Sequence, residues 1–230
     1  MLIIANKKIP EEAKNSLQKY GELDMLETSG ITEDSISGHP DLFFCKANNK
    51  LILAPNLPES YKDILETKNI SFIEGKSNVG IKYPEAACYN AVITEKYLIH
   101  KSNITETEII NDCNNLSKIY VNQGFTRCSL LALKENYFIT SDEGIYKTLI
   151  SQELQVLLVS PNDIILPGHS YGFFGGTCGI YEDILFIIGN LNFYKDGESI
   201  RKFVQSLNYT IIELYNGPLF DGGSIIFIQQ

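Results

Sequence analysis

The chain has 230 residues, with 28 Asp and Glu against 19 Lys and Arg, for a formal net charge of −9. That balance, with no run of Lys or Arg, argues against nucleic acid as a partner, because phosphate-backbone binding depends on clustered cations. An apolar share of 44% with 20% charge suits a folded protein with a sizeable core, and no apolar run approaches the roughly 18 residues that cross a bilayer.

The start, MLIIANKKIPEEAKNSLQKYG, places apolar residues before its lysines and passes directly into a helical pattern, unlike a signal peptide. A cytoplasmic protein with no membrane partner is expected. Five cysteines, an odd number without CxxC spacing, fit neither a disulfide framework nor a zinc cluster, so no metal or cofactor is expected.

In chain order, MLIIANKK is a strand, PEEAKNSLQKYG a helix and ELDMLETSG a second strand. GHPDLFFCK follows as a strand, then the turn ANN, the strand KLILAP, the helix LPESYKDILETK and the strand ISFIEGK. The same order returns from Glu85 as EAACYNAVI, the turn TE, KYLIHK, the helix TETEIINDCNNL and SKIYVNQG. From Gly124 it is GFTRCSLLAL, the turn KEN, YFITSD, the helix EGIYKTLISQE and LQVLLVS, with an extra strand-like piece, DIILPGHS. From Gly175 it is GGTCGIY, ED, ILFIIGN, the helix DGESIRKFVQSLN and YTIIELYNG. The last piece, LFDGGSIIFIQQ, is one strand, and the N-terminal elements complete its unit. Five ββαβ units of about 46 residues, the last closed by both ends of the chain, describe one α/β domain over residues 1–230 in which small sheets form a ring. Leu2–Ala5 is expected to pair with Gly223–Ile228.

Aligning the units on their second strands brings the starts of the first strands to corresponding positions. These are His39 with Asp41, Glu85, Thr126 with Cys128, Thr177 with Cys178, and Asp221. Two residues apart in an extended strand, His39 and Asp41 share a face; the pair suits equally a turn histidine followed by a strand-initial cap. Arg127 is a cation next to a thiol, although neighbouring strand residues face opposite ways. His100 is expected at a surface strand end, and His169 in PGHSYGFFGG on a lid or a long connection. The acidic helix TETEIINDCNN is expected to be a solvated face, and the glycines of DGGS to serve close backbone packing.

This five-fold repeat resembles the pentein fold, the β/α propeller of the guanidino-modifying enzymes and of the ribosome anti-association factor, and GHPD resembles the enzymes' H-x-D. The resemblance implies a small cationic guanidino compound as partner. Carboxylates would grip its planar cation, a thiolate attack its central carbon and a histidine move protons. In the family the cysteine lies on the last strand, where this chain has Ile226 and Phe227. Rotated around the ring, GFTRCSLLAL becomes the cysteine strand, two units after GHPD. The resemblance thus implies His39, Cys128 and Asp221 as catalytic, with Asp41, Glu85, Thr126, Arg127, Thr177 and Cys178 lining the substrate site. Cys178 is the alternative nucleophile. A Cys128 thiolate paired with a His39 imidazolium would have a pKa well below about 8.5. The other function consistent with the resemblance is a non-catalytic binding module.

Overall fold

The computed structural model describes residues 1–47, 50–134 and 136–229, so the turns ANN and KEN lie partly outside the described residues. The elements are β1 (Leu2–Asn6), α1 (Glu11–Leu17), β2 (Glu22–Leu26), β3 (Phe44–Ala47), β4 (Lys50–Leu53), α2 (Glu59–Thr67) and β5 (Phe72–Glu74). They continue as β6 (Val92–Ile93), β7 (Tyr97–His100), α3 (Thr107–Asp112), β8 (Ser117–Tyr120), α4 (Thr126–Ser129), β9 (Leu130–Ala132), β10 (Tyr137–Thr140), α5 (Glu143–Ile150) and β11 (Gln155–Leu158). The remainder are β12 (Ile164–Ile165), β13 (Cys178–Tyr181), β14 (Ile184–Ile187), α6 (Gly197–Ser206), β15 (Thr210–Glu213), β16 (Leu219–Phe220) and β17 (Ile226–Ile228).

Among the described residues these strands make five three-stranded sheets, ordered β17-β1-β2, β3-β4-β5, β6-β7-β8, β9-β10-β11 and β13-β14-β15. In each, the middle strand has an antiparallel neighbour on one side and a parallel one on the other. A parallel pair needs a crossover, which the helix of each unit supplies. Middle strands covered on both faces are apolar almost throughout: every residue of β1 is buried, as are the last three of β4, β7, β10 and β14. Helices bury one stripe, Ile145 and Leu149 in α5 and Ile200 and Val204 in α6, at the i,i+4 spacing of a single face. None of these sheets closes into a barrel, and among the described residues no helix is long and apolar enough to cross a membrane.

The two chain ends meet as expected: Leu2 pairs with Ile228, Ile3 with Phe227 and Ile4 with Ile226. The strand-like DIILPGHS contributes only β12, which pairs in parallel with β16.

The first strands are shorter than their apolar patterns suggest, because four of the five are preceded by a turn and β17 by an irregular segment. Pro40, which has a fixed φ and no N–H to give a ladder, opens a 3-10 turn over Pro40–Leu42, so β3 begins only at Phe44. Glu85–Ala87 and Gly175–Thr177 are likewise 3-10 turns, and Thr126–Ser129 is a single helical turn. The same-face argument for His39 and Asp41 in an extended strand is therefore corrected: a turn positions them.

Five hydrogen bonds join the segments that lead into the five first strands into one closed cycle. Asn90 Nδ2 donates to Asp41 O at 3.1 Å, Arg127 N to Asn90 O at 2.9 Å and Arg127 Nη1 to Gly175 O at 3.1 Å. Ser224 N donates to Gly176 O at 2.8 Å and Asp41 N to Gly223 O at 3.1 Å, returning to the start. Each bond crosses from one sheet's leading segment to that of another.

Two expectations about polar side chains are corrected by burial. His100 is 1% exposed and holds Thr105 Oγ1 and Gly124 O at 2.9 and 2.8 Å. Glu106, expected on a solvated face, is buried because its carboxylate accepts from the backbone of Lys76, Ser77 and Glu108. The rest of α3's acidic surface remains more open.

Candidate active site

His39 precedes the Pro40 turn, Cys128 sits in α4 and Asp221 follows β16, so three separate elements deliver side chains to one place. A ring nitrogen of His39, a carboxylate oxygen of Asp41 and the sulfur of Cys128 lie within 4.8 Å of one another, all buried. Cys128 Sγ donates to Asp41 Oδ2 at 3.1 Å, and Ser224 Oγ donates to the same oxygen at 2.6 Å. Asn90 completes the cluster: its Nδ2 lies 3.3 Å from Cys128 Sγ, and its Oδ1 accepts from Cys128 N at 3.1 Å. His39 Nε2 and Asp41 Oδ1 are buried with no hydrogen-bond partner. Such orphaned atoms are costly unless a ligand uses them.

Gly223 explains how the histidine is packed. It adopts φ +71°, in the left-handed region, with the His39 side chain so close that any Cβ there would collide with it. A Cβ on Gly176 would strike the Asp221 carboxylate in the same way. The glycines near this axis therefore serve close packing, as the sequence suggests.

The electrostatics correct the expectation of a thiolate. Burial, reinforced by the carboxylates of Asp41 and Asp221, pushes the Cys128 thiol well above its ordinary pKa, so it stands as an S–H donor. Burial also raises Asp221, against the opposing pull of His39 and its bonds from Phe173 N at 2.8 Å and Gly223 N at 3.0 Å.

His39, Cys128 and Asp221 line a cavity of about 420 Å³. Aromatic Tyr83, Phe125, Tyr171 and Phe173 form walls, and Glu33 is a further acid. His169, 2.9 Å from Ser35 Oγ, lines the cavity as well. Asp41 is absent from this lining; it lies behind Cys128 and borders a second cavity. The donors of His39, Asp41 and Cys128 are also near enough to ligate one metal ion. Cysteine spacing along the chain carries no sign of such a cluster.

The other candidates are placed differently. Glu85 is exposed on its 3-10 turn and lines none of the cavities described here. Thr126 and Thr177 are buried and spend their hydroxyls on Gln123 O at 2.6 Å and Phe174 O at 2.8 Å. Arg127 turns toward Gly175 O and Cys178 O, at 3.1 and 3.4 Å, and borders the second cavity. Cys178 is fully buried and its thiol is pushed up to about 12 by burial. Asn90 and Ser224, which the sequence reading missed, occupy the cluster instead. Ser224 sits two residues before β17, a polar residue at the head of an apolar run, which is the one available signal.

Three solved structures share the fold of this chain. SxtG, an amidinotransferase of saxitoxin biosynthesis from Microseira wollei, superposes at TM-score 0.59 with 12% identity, over 100% of this chain and 94% of its own. DDAH from Pseudomonas aeruginosa, a mutant in complex with citrulline, gives 0.57 and 13% over 92% and 91%. The agmatine deiminase of C. jejuni gives 0.56 and 14% over 95% and 78%. At these identities the likeness is one of fold, and the fold is the pentein fold, α/β with small sheets. No curated protein sequence matches the chain. A sequence match does extend over residues 4–226, nearly end to end, and by it the chain belongs to a family of unknown function, DUF6873.

Proposed function

We propose that the protein is an enzyme acting on a guanidino compound through Cys128, in a bore around which the five sheets stand as a five-fold propeller. The closed cycle of hydrogen bonds between leading segments supports the ring. The observation that carries the chemistry is the meeting of the Cys128 sulfur, the Asp41 carboxylate and a His39 ring nitrogen within 4.8 Å, with His39 and Cys128 lining a cavity that Asp221 also faces.

A guanidinium entering this cavity sets its positive charge beside Asp221 and relieves the carboxylate repulsion that, after burial, keeps the thiol protonated. Cys128 gives its proton to Asp41 Oδ2, and the sulfur forms a bond to the central carbon. The C–N bond to the departing amine breaks as His39 delivers a proton to it. Water, deprotonated by His39, then adds to the carbon of the S-amidino intermediate. The C–S bond breaks, the thiolate recovers the proton from Asp41, and the adduct's hydroxyl proton passes to solvent, leaving a urea. An amine in place of that water makes the reaction an amidino transfer. Here Asp41 is the thiol's proton acceptor and Asp221 the residue that meets the cation.

No Lys or Arg is present among the described lining residues, and Glu33 adds negative charge. A carboxylate at the far end of the substrate finds no partner there, which favours guanidino compounds with apolar or cationic tails. The test is release of amine or ammonia from agmatine, simple alkylguanidines and arginine, with a metal chelator present. Turnover of the first two ahead of arginine, abolished in Cys128→Ser, is expected. The thiol locked on Asp41 favours a second reading, a non-catalytic binding module, and absence of turnover across the panel would establish that reading instead.

A further inference from the structure

Asp41 also borders a second cavity of about 760 Å³, walled by the apolar first strands. Its charge is opposite to that of the front. In a chain of net charge −9, it gathers Lys46, Lys96, Arg127 and Lys134, against Glu95 and the buried Asp41. Lys134 is paired with Asp183 and lies 5.1 Å from the centre of the Tyr209 ring. The other three cations make no ion pair among the described residues. Lys46 Nζ donates to the carbonyl of Phe227 at 3.2 Å, and the Arg127 guanidinium to the carbonyls of Gly175 and Cys178. Partial burial lowers the Lys46 pKa, while the residue as a whole stays exposed at the cavity's rim.

We propose that this rear cavity binds a small multivalent oxyanion, a phosphate or a dicarboxylate, with Arg127 as its deep ligand and Lys46 and Lys96 closing on it from the rim. A guanidinium fork suits either anion, and the flanking lysines add charge without geometric demand. The site does not depend on chemistry at Cys128.

Calorimetric titration with inorganic pyrophosphate and, separately, succinate tests it, with ionic strength matched by sodium chloride so that screening is constant. Saturable one-to-one binding of at least one anion is expected, and the stronger of the two identifies the class. Lys96→Gln, an exposed rim change, should weaken binding about fivefold, the scale of one ion pair. Lys202→Gln, on the exposed face of α6, should leave it unchanged. Absence of saturable binding by both anions overturns the proposal, as does equal weakening by the two variants or no weakening by Lys96→Gln.

Discussion

Cys128 Sγ donates its proton to Asp41 Oδ2 at 3.1 Å, with the two residues 3% and 2% exposed. The thiol is therefore neutral and held by a carboxylate, where a thiolate–imidazolium pair would need it ionised. Alkylation of Cys128 by iodoacetamide near pH 7 should be slower than that of a free small-molecule thiol. Asp41→Asn removes one source of the raised pKa, so the rate should rise at lower pH than in the parent protein. Mass-spectrometric mapping from pH 6 to 10 measures both curves, and superimposable curves would show that Asp41 does not control the thiol.

Asn90 binds three partners at once: the Cys128 backbone N–H, the Cys128 sulfur and the carbonyl of Asp41. Asn90→Ala leaves buried groups unpaired and should cost about 1–3 kcal/mol in denaturant unfolding. Asn90→Asp adds a third carboxylate beside the sulfur and should raise the thiol pKa further. A stability loss without a change in the thiol titration would confine Asn90 to a packing role.

His100 is buried and neutral, its pKa lowered to about 4, chiefly by burial. The unfolded chain takes up this proton near pH 6.5 and the folded chain only near pH 4, so stability falls as pH drops between those values. The loss should reach up to about 3 kcal/mol. His100→Gln cannot titrate, so its thermal melts should lose part of this acid dependence. An unchanged slope would assign the acid sensitivity to other groups.

Pairing of β1 with β17 makes both chain ends part of the core; Leu2 and Ile3 are wholly buried. Deleting residues 226–230 exposes a hydrophobic edge strand and should abolish cooperative melting, unlike the trimming of an ordinary chain end. Ile3→Ala should cost about 2–5 kcal/mol. A truncated protein that melts like the parent would contradict ring closure.

The sheets, including the one that joins both chain ends, are visible in the sequence because a middle strand covered on both faces must be apolar, and KLIL, YLIH, YFIT, ILFI and LIIA all repeat that signature. His39 and Cys128 are visible by their unit positions. Asn90 is hidden because the Glu85–Ala87 turn occupies the start of its unit and carries Glu85 outward, which strand alignment does not reveal. Burial of His100 is hidden because its partners, Thr105 and Gly124, come from irregular segments. The cations of the rear cavity are scattered along the chain, from Lys46 to Lys134, and only the fold collects them.

The central claim is that Cys128 is a nucleophile in a site built for a planar cation. The most direct measurement compares its alkylation by chloroacetamidine, which is cationic, and by chloroacetamide, its neutral isostere, each rate divided by that of glutathione. The account predicts that the amidine labels Cys128 faster by about tenfold or more, equivalent to roughly 1.4 kcal/mol of charge selection, with Asp221→Asn erasing the preference. Equal rates for the two reagents, or labelling at another cysteine, would contradict it.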